Sequence, residues 1–176
     1  MERMASIAAW DNFYVIVGSS AAALTGLQFV VATLIATDEE RRGTPDEVRA
    51  FGTPTVVHFC AALLISAINS APWHELSHVA TAFGACGFLG VAYGCVTIGR
   101  ARATRTFKLV LEDWIWYVGL PLLSYGSVLI ASFVLPHRAG PSLFVVGAAA
   151  LLLLLIGIHN AWYTVTYLAV EKKKAK

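Results

Sequence analysis

The chain has 176 residues, of which 57% are hydrophobic and 14% charged, and its mean hydropathy is +0.67. A soluble globular domain carries about 45–50% apolar and about 25% charged residues, so the composition argues against a water-soluble enzyme and for hydrocarbon as the solvent. The formal charge of +2 is too small to point to nucleic acid. Cys60, Cys86 and Cys95 all lie in apolar runs, and an odd number of such thiols does not build a disulfide framework.

A helix needs about 20 mainly apolar residues to cross a bilayer. Five stretches qualify, at about 13–36, 51–69, 76–98, 114–135 and 143–168, and they occupy two thirds of the chain. The second is the weakest, being short and carrying Pro54 and His58. The first apolar run is too long for a cleaved leader, which has an apolar stretch of about 7–15 residues, so it reads as a retained span. The expected fold is all-α, a single transmembrane domain built as a bundle of five helices. With five spans, Arg3 and Arg138 fall on one side and the other 11 Lys and Arg on the opposite side. The positive-inside rule then puts the N-terminus outside and the C-terminus in the cytoplasm. Trp10 and Trp73 fall at the outer interface, and Trp114, Trp116, Trp162 and Tyr167 toward the inner one. The tail EKKKAK suits topology fixation more than a lipid-specific contact.

Small residues let helices approach closely in lipid. Gly18, Ala22 and Gly26 form one stripe on the first span. Gly84, Gly87, Gly90 and Gly94 project within an arc of about 120° on the third. Such a face serves packing inside one bundle, contact between subunits, or a wall for a pore or flat cofactor. A five-span bundle has few interior positions, and assembly into a homo-oligomer is the expectation.

Polar groups inside spans are rare and often functional. At 1.5 Å rise per residue, Gln28, His58 and His159 with Asn160 all lie about 10–13 Å from the inner end of their spans, near the depth of Gly90 and Pro121. Three uses are open. These groups bond one helix to another; they line a hydrated path in which imidazoles of ordinary pKa near 6.5 relay protons or gate ions; or His58 and His159 hold a b-type haem as axial ligands.

His74-Glu75-Leu76-Ser77-His78 reads H-E-x-x-H, a pattern that on a helix puts two imidazoles on one zinc ion with the glutamate activating water. His137 would be a third ligand from the same side. The setting is poor for a protease, since no extramembrane mass builds a cleft. Each residue also has a separate reason to be there: Pro72 for a first helical turn, Glu75 for a helix N-terminus, Trp73 and the histidines for the interface. Glu112 and Asp113 are adjacent, so they diverge on a helix, and pairing with Lys108 or Arg105 is the plainer expectation.

The opening WDNFYVIVGSSAAALTGLQFVVATLIA resembles the first span of small bacterial membrane proteins of unassigned activity, through Trp10, Phe13, Gly18, Ala22, Thr25, Gly26, Leu27, Phe29 and Val30. The likeness covers about one seventh of the chain and implies a multi-pass protein of a bacterial inner membrane. The residues favour a non-enzymatic protein, with the lipid bilayer and its own copies as partners and no nucleic acid. It would form or regulate an ion, proton or small-solute path, the rivals being a haem b electron carrier and an outer-face zinc site.

Overall fold

A computed structural model describes residues 7, 9–37, 45–103 and 111–174. The helices are α1 (Asp11–Thr37), α2 (Pro45–Ser70), α3 (Leu76–Ala103), α4 (Leu111–Trp114), α5 (Leu120–Val134) and α6 (Ala139–Lys174), with a π-helical turn, Ile115–Gly119, joining α4 to α5. No strand occurs among the described residues. Five segments are long and apolar enough to cross a membrane: Asp11–Thr33, Thr53–Ser70, Leu76–Gly99, Ile115–Val134 and Ala139–Thr166. All five expected spans are therefore present, with helix running beyond the expected limits by two residues at the start of the first, six at the start of the second, five at the end of the third, three at the start of the fourth, and four and six at the two ends of the fifth. Arg3, Arg41, Arg42, Arg105, Lys108 and Lys176 lie outside the described residues, as does the suggested pairing of Glu112 and Asp113 with Lys108 or Arg105.

The surface has the character of a lipid-facing one. Phe133 and Trp162 are 71% exposed, and Ile16, Ile130 and Phe144 67%. Water would disfavour so much apolar exposure at about 25 cal/mol per Å², whereas lipid tails do not. Breaks in helical chemistry are absorbed as they are in lipid. Pro54 sits inside α2 without ending it. Pro121 has no N–H to give, and its ring crowds the carbonyl four residues back. Immediately before it the helix widens, and the Leu120 N–H bonds the Ile115 carbonyl, five residues back.

Helix neighbours do not follow chain order. α1 packs on α2, α2 on α6, α6 on α5, and α5 on α3, with a smaller contact closing α3 onto α2. Four helices thus form a ring in which α2 and α5 are diagonal, while α1 lies outside against α2 and, less, α6. Within the spans, α6 is 56% buried and α1 only 17%. The last helix is the centre of the molecule, and the first is its periphery.

Glycines set the close approaches. All four glycines of the α3 arc face α5 within this one chain. A Cβ at Gly87 would stand 2.7 Å from the Leu129 backbone nitrogen, one at Gly94 2.6 Å from Leu122, and one at Gly84 3.1 Å from the Ser132 hydroxyl. At Gly90 it would fall inside the ring of Tyr125. The α1 stripe divides instead. Gly18 packs on Ser66 of α2, with 2.9 Å to a would-be Cβ, while Gly26 has open space and Ala22 is exposed. Two glycines the sequence did not single out are also at contacts, Gly147 under Trp10 and Gly157 under Phe59.

Candidate functional site: a polar layer in the bundle interior

His58 is 2% exposed and Tyr125 1%. They come from the two diagonal helices, and His58 Nδ1 lies 3.0 Å from Tyr125 Oη, so their hydrogen bond runs across the middle of the four-helix ring. Tyr125 can reach there because Gly90 leaves room for its ring. The second ring nitrogen of His58, Nε2, is buried and makes no hydrogen bond among the described residues. Whichever partner donates, one ring position stays unmatched. A buried polar atom without a partner costs about 1–3 kcal/mol, so this position invites an explanation.

Asn160 of α6 is fully buried, and its Nδ2 is likewise without a partner. Phe59 of α2 packs over Gly157 of α6, and the two helices run antiparallel. That register sets Asn160 level with Val56, about 3 Å along the helix axis from His58. Ser124, one residue from Tyr125, is also buried, with its hydroxyl returned to the Leu120 carbonyl.

His159 and Asn160 are neighbours that serve different surroundings. The His159 imidazole stacks face to face on the Trp116 indole, with centroids 3.7 Å apart and planes at 7°. Its Nδ1 lies 3.4 Å from Asn160 Oδ1. Oδ1 can only accept, so the hydrogen of that bond is on Nδ1. Trp116 belongs to the π-helical turn; the widened backbone ahead of Pro121 is what presents the indole to α6. Glu112, Trp116, Tyr117, His159 and Tyr163 line a small, partly open cavity of about 10 Å³.

Of the four residues expected in one layer, the structure brings His58 together with Tyr125 and His159 together with Asn160. Gln28 is half-buried on α1 and makes no hydrogen bond among the described residues. The Gly18–Ser66 contact puts it near the depth of His58, but α1 is peripheral. The glycine surface that a haem macrocycle could lie against is filled by Leu122, Tyr125 and Leu129 of α5, and the two imidazoles are engaged by different aromatic partners.

The H-E-x-x-H residues stand at one end of the bundle. α3 begins at Leu76, so His74 precedes the helix and does not share a helical face with His78. Pro72 likewise lies in the connection and not in the first helical turn. Glu75 takes the cap, its Oε2 accepting from Ser77 Oγ at 3.0 Å and its carbonyl from the His78 N–H at 3.3 Å. His74, Glu75, His78 and His137 are all exposed. Among the described residues no three His, Cys, Asp or Glu side chains are placed to hold a metal ion together.

Reading the sequence missed several buried polar groups. Tyr125 was findable: a tyrosine in mid-span, away from the interface belt, must seek a partner for its hydroxyl. Tyr14, Asn69 and Ser142 sit at the same end of the bundle as the H-E-x-x-H residues. They are buried and have polar atoms without partners among the described residues. Near Ser142, an apolar groove of about 230 Å³ between α5 and α6 is lined by Ile130, Val134, Pro141 and Val145 among others, a shape and polarity suited to lipid chains. No family model, curated protein or solved structure matches the chain.

Proposed function

We propose that this is a multi-pass protein of a bacterial inner membrane that, as a homo-oligomer, forms or regulates a path for protons or small ions. The N-terminus is outside and the C-terminus in the cytoplasm, on the strength of the 2-to-11 division of Lys and Arg. The reading rests on one observation: an imidazole at the centre of the bundle, 2% exposed, bonded on one nitrogen and unmatched on the other. Imidazoles inside membrane spans are rare and often functional. One that exchanges protons or gates ions needs a free position. Asn160 Nδ2, also buried without a partner among the described residues, lies about 3 Å from the level of His58 along the helix axis. The oligomer draws support from α1, whose outward face carries Ala22 and Gly26 and is almost unburied within one chain.

The test is flux into liposomes loaded with a pH-sensitive dye, comparing wild type with His58→Ala, His58→Gln, His159→Ala and Tyr125→Phe. The His58 variants are expected to change the rate or its pH profile. Wild-type rates across pH 5–8 in both alanine variants would remove the pathway role. Reporter fusions at each terminus test the orientation, and both ends on one side would overturn it.

A further inference from the structure

At the end of the bundle where α4 begins, the cavity beside His159 has a construction that the buried layer alone does not explain. Its wall contains one carboxylate, Glu112, one imidazole, His159, and three other aromatic residues, Trp116, Tyr117 and Tyr163. Glu112 is exposed, three residues before the fourth span begins, whereas His159 is half-buried and in contact with Asn160 of the polar layer. The volume of about 10 Å³ is that needed for one water molecule, and four of the five lining residues, Glu112, Tyr117, His159 and Tyr163, carry groups that can both bond a water and exchange a proton. The ring geometry matters as well. With Nδ1 donating to Asn160 Oδ1, a neutral His159 has its lone pair on Nε2, and the parallel indole of Trp116 holds the ring plane.

We infer that Glu112, one water and His159 form a proton-exchange site at the mouth of the buried polar layer. In the inward direction the Glu112 carboxyl O–H bond breaks and the water gains that proton. One of the water's own O–H bonds breaks, and the proton forms an N–H bond at His159 Nε2. The net change is a carboxylate at Glu112, an imidazolium at His159 and an unchanged water. The ionisable groups facing the cavity are Glu112 from α4, Tyr117 from the π-helical turn, and His159 and Tyr163 from α6. The inference rests on the pathway reading for its purpose, though the site itself is testable without any flux.

Trp116 is the reporter, because its ring lies against His159. The protein is labelled with 5-fluorotryptophan, reconstituted in lipid and followed by ¹⁹F NMR, with the Trp116 line assigned by its loss in Trp116→Phe. Trp116 is expected to show one exchange-averaged line with an inflection in pH, and His159→Gln should abolish the inflection. In Glu112→Gln the line should broaden or split, as loss of an acid–base partner slows exchange about tenfold or more. Glu112→Asp should lie between Glu112→Gln and wild type. Unchanged width in Glu112→Gln, or an inflection that survives His159→Gln, overturns the site. If these changes appear while the His58 variants conduct like wild type, the exchange site stands and the pathway reading falls.

Discussion

Tyr125 crosses the bundle to His58, with 3.0 Å between its hydroxyl and the imidazole Nδ1, and it can do so because the facing residue of α3 is Gly90. Three helices are thereby tied at one level: α3 by its missing side chain, α5 by the phenol and α2 by the imidazole.

Tyr125→Phe removes the hydroxyl and leaves both ring nitrogens of His58 without a partner. The variant should lose about 1–3 kcal/mol of stability, measured by unfolding with a denaturing detergent in mixed micelles. His58→Phe combined with Tyr125→Phe should recover part of that loss, because an apolar pair leaves nothing unsatisfied. A double variant no more stable than Tyr125→Phe alone would show that the pair is not coupled.

The glycines separate into filled and open positions. Gly87→Ala drives a methyl to within 2.7 Å of the α5 backbone at Leu129, where no side chain can rotate away. Overpacking of this kind costs about 1–3 kcal/mol. Gly26→Ala meets nothing within this chain and should leave monomer stability unchanged. Thermal denaturation in detergent compares the two. Under the oligomer proposal, Gly26→Ala should instead weaken subunit association, visible by mass photometry or cross-linking.

Phe59 over Gly157 offers a compensation experiment. Gly157→Ala puts its methyl into the Phe59 ring, and Phe59→Leu should relieve the clash. The double variant is expected to melt higher than Gly157→Ala, since residues in contact couple by about 0.5–3 kcal/mol. Strict additivity would show that the two do not share this contact.

The filled glycine surface and the separate engagement of the two imidazoles predict no Soret band in protein expressed with supplemented haem, checked by absorption of the purified material. The early position of His74 relative to α3 predicts that replacing His74 and His78 together leaves zinc content unchanged, checked by elemental analysis after dialysis. A Soret band lost in His58→Ala, or zinc lost in the histidine variant, contradicts these expectations.

Much of the architecture is legible in the amino-acid sequence. The number of spans and their approximate limits follow from length and apolarity, because a backbone in hydrocarbon must close its own hydrogen bonds and a helix does so locally. The rarity of polar residues within spans likewise singled out Gln28, His58, His159 and Asn160, of which Gln28 lies on the peripheral α1. Which helix meets which was a different matter. Lipid tails are as apolar as leucine, so no hydrophobic force chooses among helix neighbours, and fit between side chains decides. Only the folded chain put the α3 glycines against α5, moved α6 to the centre, left α1 at the edge, and gave His58 a tyrosine and His159 a tryptophan. Spanning is a property each segment holds alone, while pairing belongs to two surfaces at once.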